Sequence, residues 1–270
     1  MGHGKLKRFA ENETFSCLLQ PDASQVLDRR EGLSGRGLPL LLRDHEIKGR
    51  WNERMFAAPQ PIVLELGCGR GEYTIDLALR EPSRNYIGVD IKGARLWRGA
   101  KYAEEQHLPN VAFLRTRIEF ITAFFAPEEV SDIWITFPDP QMSSENSRLT
   151  SPMFLERYRK FLRNGGVVRL KTDSRFLHEY TKAVCEANSL EVISCTDDLY
   201  ANPGLEGGGA LYEVKTHYER MFLEQGFKIT YLAFRLEHDG PYVNPSSFDA
   251  AYWRSVEAPR TTNLRGGTID

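Results

Sequence analysis

A strand, a glycine turn and a helix in immediate succession restrict this chain to few folds. Pro61-Ile62-Val63-Leu64 is continuously apolar, Glu65-Leu66 leads into Gly67-Cys68-Gly69-Arg70-Gly71, and Glu72 to Leu79 has a helical pattern. This is the first half of a nucleotide-binding βαβ unit, whose glycines let the backbone turn tightly and pass close to a ligand. The spacing is G-x-G-x-G, not the dinucleotide G-x-G-x-x-G, and a carboxylate, Glu65, leads it. A carboxylate there repels a pyrophosphate, which disfavours an NAD-dependent dehydrogenase, but it holds a cationic amino-acid group. S-adenosylmethionine, with its ammonium and sulfonium, meets that requirement.

A second acid follows. Asn85-Tyr86-Ile87-Gly88-Val89-Asp90 reads as a buried strand ending in a carboxylate. In doubly wound folds an acid at the end of the second strand accepts hydrogen bonds from ribose hydroxyls. Asp90 could instead cap the helix that starts near Gly93; beside Glu65, ribose binding is the better reading.

From residue 61 onward, short apolar runs alternate with helix-like segments. Strands are expected near 61–66, 85–90, 111–114, 131–137, 166–171, 190–195 and 227–236, and helices near 72–81, 93–106, 118–126, 151–163, 174–188 and 212–225. Such alternation predicts an α/β fold with a doubly wound, seven-stranded, mostly parallel sheet, Rossmann-like and of the class I methyltransferase kind, with one antiparallel strand. Residues 1–58 read as an N-terminal arm or cap, 59–236 as the S-adenosylmethionine-dependent domain, and 237–270 as a polar surface extension, partly disordered.

The formal charge of −2 over 270 residues gives no global case for nucleic-acid binding, so any basic surface must be local. Three candidates are Lys5, Lys7 and Arg8; Lys92, Arg95, Arg98 and Lys101; and Arg157, Arg159, Lys160 and Arg163. The second is favoured, since residues 91–101 hold four cations and no acid. Four scattered cysteines, without a C-x-x-C pair or a His/Cys cluster, point away from a metal site or a disulfide framework. No apolar stretch is long enough for a membrane span, and the N-terminus lacks a secretion signal, which predicts a cytoplasmic protein.

The chemistry-bearing loop is predicted after Ile133-Trp134-Ile135-Thr136-Phe137, where Pro138-Asp139-Pro140 follows. Ligands of open α/β sheets bind beyond the carboxyl ends of the strands, and two prolines fix φ on either side of Asp139. Pro-Asp-Pro is also a good turn former. The Asn/Asp-Pro-Pro-aromatic loop of exocyclic-amine methyltransferases is absent.

Glu65 to Gly71, Asp90, Phe137-Pro138-Asp139-Pro140, Arg148-Leu149-Thr150, Lys171-Thr172-Asp173 and Thr216-His217-Tyr218-Glu219 occur in an order that resembles the bacterial tRNA (guanine-N7-)-methyltransferases. The resemblance covers roughly residues 60 to 236, and Lys5-Leu6-Lys7-Arg8-Phe9 is similar to the family's basic N-terminal arm. It implies methyl transfer from S-adenosylmethionine to N7 of a guanosine in tRNA, the variable-loop guanosine, by a monomer or homodimer without a metal or a membrane. It assigns Glu65, Gly67, Gly69, Asp90, Arg117, Ile118 and Asp139 to the cofactor, with Asp139 also at the reaction centre. Asp173, Thr216, His217, Tyr218, Glu219 and Arg148 fall to the substrate. Asp173 could alternatively cap a helix, a job Ser174 could share, and Thr216-x-x-Glu219 could be a capping box.

Two positions depart from the family pattern. Arg117 stands where an acid or amide contacts adenine, leaving that contact to backbone around Arg117-Ile118 or to Glu119. Ser143 replaces a substrate-touching lysine in Gln141-Met142-Ser143-Ser144-Glu145-Asn146-Ser147, so that only Arg148 remains basic after Pro-Asp-Pro. A methyltransferase of the same fold with a protein or small-molecule acceptor, and an inactive RNA-binding homologue, are the competing readings. The first is favoured by weak basicity and the missing lysine, and opposed by Asp139, Asp173 and Thr216-x-x-Glu219. The second is opposed by the intact acids.

Overall fold

The computed structural model describes residues 3–27 and 41–261. They form two compact units, one running up to Trp134 with Arg157–Gly166 added, the other made of Ile135–Glu156 and the chain from Val167 onward. The strands form a mixed sheet of eight, one more than the sequence pattern predicts.

In the first unit, α1 (His3–Asn12), β1 (Leu18–Leu19), α2 (Ala23–Val26) and α3 (Trp51–Arg54) precede β2 (Ile62–Leu66). Then come α4 (Glu72–Arg80), β3 (Asn85–Asp90), α5 (Gly93–Glu105), β4 (Val111–Arg115), a 3-10 turn at Ile118–Ala123 and β5 (Val130–Thr136), whose last two residues belong to the second unit. The strand order is β1-β4-β3-β2-β5, and β1 with β4, β4 with β3 and β3 with β2 all pair in parallel. Every residue of β2 and β3 is buried, the signature of parallel strands covered on both sides. Helix and sheet approach closely because three glycines surround one ring. A Cβ on Gly71, Gly88 or Gly99 would come within 2.6, 2.8 or 2.7 Å of Phe113.

The expected N-terminal arm is built into this unit. Leu18 aligns with Phe113 in the extra strand, a pairing too short to leave a sequence signal. The fully buried Trp51 stacks on Phe125 at 5.3 Å and donates its indole N–H to the Phe124 carbonyl at 2.8 Å. Asn12 Nδ2 donates to the Gly93 carbonyl at 2.9 Å, which fastens α1 to the start of α5.

The second unit carries α6 (Pro152–Tyr158) and β6 (Leu162–Thr172), each shared with the first unit, then α7 (Arg175–Ala187), β7 (Val192–Thr196), α8 (Gly208–Glu213), α9 (His217–Glu224), β8 (Thr230–Arg235) and α10 (Ala250–Thr261). The expected antiparallel strand is β8, which pairs with both β6 and β7. Three helices differ from expectation. Residues 118–123 form a 3-10 turn and not an α-helix over 118–126. The helix expected over 151–163 stops at Tyr158, because the Phe161 carbonyl already accepts the Val130 N–H at 3.1 Å. That expected over 212–225 breaks into α8 and α9, since Thr216 takes extended backbone (φ −66°, ψ 161°) and caps α9.

The polar C-terminal extension is packed as far as it is described. The Val243 N–H donates to Asn188 Oδ1 at 2.8 Å, and buried Glu257 accepts the Phe176 N–H at 3.1 Å at the start of α7. Residues 262–270 lie outside the described residues.

Candidate active site

The first unit gathers Glu65, Gly67, Gly69, Asp90, Arg117 and Ile118 of the predicted cofactor residues at or just beyond the carboxyl ends of β2, β3 and β4, while Asp139 belongs to the second unit. Glu65 on β2 is 3% exposed and accepts the Thr74 hydroxyl of α4. Asp90 ends β3; its Oδ2 accepts the Gly69 N–H at 3.0 Å and its Oδ1 the Lys92 N–H at 2.7 Å. Asp90 therefore braces the glycine loop and does not cap α5, whose N-cap is Lys92. Gly67 and Gly69 hold φ of +77° and +57° with open space where a Cβ would stand, whereas Gly71 at +72° is pressed on Phe113. The first two glycines thus leave room for a ligand, and the third packs helix on sheet. Burial raises the Cys68 thiol well above its usual range, and negative charge from Glu65 and Asp90 adds to the shift. A loop with that field suits a cationic amino-acid group and sugar hydroxyls, so the residues present fit S-adenosylmethionine.

Beyond β4 the Thr116 N–H donates to the Asp90 carbonyl at 3.2 Å, so Arg117 leaves the same edge of the sheet. The Arg117 guanidinium turns to Glu119 at 3.1 Å and lies 5.7 Å over the Phe120 ring. Burial pushes the Glu119 carboxyl up, but hydrogen bonds and the Arg117 charge outweigh it and hold the group low. The side chain at this departure from the family pattern is therefore neutralised locally.

The second unit holds the acceptor-side residues. Asp139 is exposed between buried Pro138 and Pro140, and its Oδ1 accepts the Gln141 N–H at 3.1 Å. Phe137 and Gln141, on either side of Pro-Asp-Pro, have φ of +48° and +46°. Left-handed backbone at non-glycine residues costs about 1–3 kcal/mol each and gathers at functional loops. Lys171 of β6 connects this loop to α9. Its carbonyl accepts the Phe137 N–H at 2.8 Å, while its fully buried ammonium meets Glu219 at 2.8 Å and the Leu211 and Val214 carbonyls at 2.8 and 3.1 Å. The Phe137 ring stacks on Phe222 of α9 at 6.2 Å. Asp173 follows β6 directly and is 7% exposed; the cap of α7 is Ser174, whose Oγ accepts the Leu177 N–H at 3.1 Å. Thr216 Oγ1 accepts the Glu219 N–H at 3.1 Å. Glu219 does not complete a capping box: it turns inward to Lys171 and to Tyr200, whose hydroxyl donates at 2.6 Å.

A model described as a putative methyltransferase family matches residues 59–232. A tRNA (guanine-N(7)-)-methyltransferase of Bacteroides thetaiotaomicron is 44% identical over 98% of this chain and 99% of its own length. Proteins of that name from Porphyromonas gingivalis and Christiangramia forsetii are 52% and 45% identical, each over 86% of this chain and over 90% and 98% of their own lengths. The chain belongs to the tRNA (guanine-N7-)-methyltransferase family. Its cofactor is S-adenosylmethionine, as the acids of the first unit anticipate.

Arg148 and Glu219, both assigned to the substrate, are buried. Arg148 is 3% exposed. Its guanidinium lies 4.2, 4.7 and 6.0 Å from the rings of Tyr180, Phe176 and Phe248, and burial lowers its pKa. Glu219, expected at the substrate, is fully buried in the Lys171 ion pair, whereas Thr216, His217 and Tyr218 are partly exposed. Among the basic surfaces, Arg8 and Lys101 are each drawn over the Trp97 ring at 5.0 Å, and the Lys5 side chain lies outside the described residues. Lys92, Arg95, Arg98, Lys160 and Arg163 are exposed, while Arg157 and Arg159 are half-buried. Among the described residues no helix is long and apolar enough to cross a membrane, and no three His, Cys, Asp or Glu side chains group as metal ligands. Sequence reasoning gave Lys171 no role. Its signal was a lysine inside the run Val167-Val168-Arg169-Leu170-Lys171-Thr172, where a buried charge demands a partner.

Proposed function

We propose that the chain transfers a methyl group from S-adenosylmethionine to N7 of a guanosine in tRNA, the variable-loop guanosine by family resemblance. The observation that carries the reading is the exposed Asp139 carboxylate, held between two buried prolines and two left-handed residues. Guanine N7 has a lone pair and no proton, so its methylation needs no strong base. Positive charge builds on the ring as the methyl group arrives, and a fixed carboxylate stabilises that charge. Asp139 takes this role, its orientation set by the Gln141 N–H.

In this reading Glu65 binds the cofactor's ammonium, Asp90 its ribose hydroxyls, Gly67 and Gly69 lie against it, and backbone at Arg117 and Ile118 takes the adenine. When bound, the cofactor supplies an electrophilic methyl group. Asp173 holds the base edge, and Thr216, His217 and Tyr218 contact the nucleoside. Glu219 anchors that segment from the interior through Lys171 and Tyr200. A base stacked in folded RNA must be turned out to react, and phosphate contacts by Lys92, Arg95 and Arg98 secure the RNA meanwhile.

Incubation with labelled S-adenosylmethionine and unmodified tRNA, followed by nucleoside analysis and mapping of the site, tests this. Label in 7-methylguanosine of the variable loop is expected. Label in another nucleoside, or only in protein or a small molecule, overturns the proposal.

A further inference from the structure

Arg148 lies in the same compact unit as the Pro-Asp-Pro loop and reaches the backbone that follows it. Its Nε donates to the Gln141 carbonyl at 3.3 Å and its Nη2 to the Met142 carbonyl at 3.4 Å, while Glu145 lies 3.7 Å from its Nη1. Gln141 is the left-handed residue whose N–H orients Asp139. Strained backbone persists only where its surroundings over-determine it, and this residue's carbonyl is held both by Arg148 and by the Ser144 N–H at 3.1 Å.

What holds Arg148 comes from elsewhere in the chain. Tyr180 and Phe176 of α7 supply two rings of its cage, and Phe248, from the C-terminal extension, closes it. Phe248 meets both other rings edge-on at 5.3 Å. A desolvated guanidinium gains from such ring faces, and opening one side of the cage frees it to swing toward water. The extension is pinned on both sides of Phe248, by Val243 to Asn188 and by Glu257 to the Phe176 N–H.

We infer that the C-terminal extension is a positioning element for the catalytic loop: Phe248 holds Arg148, and Arg148 holds the Gln141 backbone that sets the direction of Asp139. This rests on the role proposed for Asp139, although the mechanical link can be measured without turnover.

The test uses the full chain with Phe248→Ala, Phe248→Tyr and Arg148→Lys. Hydrogen exchange is followed across residues 138–148, together with kcat, KM for tRNA and the Kd for S-adenosylmethionine. Phe248→Ala should speed exchange in the loop by ~5-fold or more, as local opening does. It should lower kcat by ~10–100-fold, the scale of a misplaced group, with KM and Kd moving less than ~3-fold. Phe248→Tyr, which keeps the ring, should behave as wild type. Arg148→Lys, which replaces the planar two-nitrogen fork by a single nitrogen, should reproduce the exchange and kcat losses and serves in place of Phe248→Ala if that variant does not fold. Unchanged loop exchange in the folded variants, or a loss confined to KM, overturns the inference. Faster loop exchange in a chain whose wild type makes no 7-methylguanosine refutes the proposed function but upholds the link.

Discussion

Substituting Glu219 by Gln isolates the buried charge pair under the acceptor side. Lys171 and Glu219 are both fully buried at 2.8 Å, and burial pulls the Lys171 pKa below its ordinary value while Glu219 opposes that shift. Glu219→Gln keeps the shape and leaves the ammonium without a counter-charge, which costs about 3–5 kcal/mol for a buried pair. At about 2–4 °C per kcal/mol the transition of the second unit should fall by ~6–20 °C. The loss has a pH signature. With its folded pKa lowered further, Lys171 binds fewer protons folded than unfolded, so stability rises with pH up to the ordinary lysine pKa. The deficit should therefore be largest near neutrality and shrink toward pH 10. The triple variant Lys171→Met/Glu219→Leu/Tyr200→Phe, whose last change removes the orphaned hydroxyl, should lose less than Glu219→Gln or Lys171→Met alone, because it strands no charge. Calorimetry and urea titration across pH measure this. A Glu219→Gln loss under ~1 kcal/mol, or single losses that simply add in the combined variant, would refute the reasoning.

Three further outcomes are expected. Gly71→Ala places a Cβ 2.6 Å from Phe113 at φ +72°, so strain of about 1–2 kcal/mol and overpacking of about 1–3 kcal/mol should add up to a visible loss in urea unfolding. Gly67→Ala, with open space beside it, should show only the strain. Burial lowers the His178 pKa to about 4 from 6.5; the unfolded chain then binds the proton first, and stability should drop as pH falls from about 6.5 to 4. His178→Leu should flatten that part of the profile in thermal melts. Replacing Arg95 and Arg98 by Ala should reduce the slope of log K for tRNA against log salt by about 1–2, given ~0.7–0.9 per phosphate contact; an unchanged slope in a binding titration eliminates this helix as the grip.

β2 and β3 were legible because each is a short, wholly buried run closed by a turn or an acid, and Glu65, Asp90 and the glycines announce their own geometry. Less legible were elements stabilised by distant partners. β1 is two residues long and exists only against β4. The break before α9 depends on the Thr216 cap and on Lys171 reaching the Leu211 and Val214 carbonyls. Arg148 and Glu219 carry family motif positions, and a motif says which residues recur without saying which way they point. Their inward direction is set by rings from Phe176, Tyr180 and Phe248 and by the Lys171 ammonium, all remote in sequence. The polar C-terminal extension looked loose because its anchors are isolated residues, Val243, Phe248 and Glu257, and not an apolar stripe.

Asp139→Asn bears on the centre of the account, since the amide keeps an oxygen for the Gln141 N–H and removes only the charge. Single-turnover formation of 7-methylguanosine in tRNA should slow by at least ~100-fold, with the Kd for S-adenosylmethionine unchanged within ~3-fold. A rate close to that of the wild type would contradict the claim that a fixed carboxylate on this loop carries the methyl transfer.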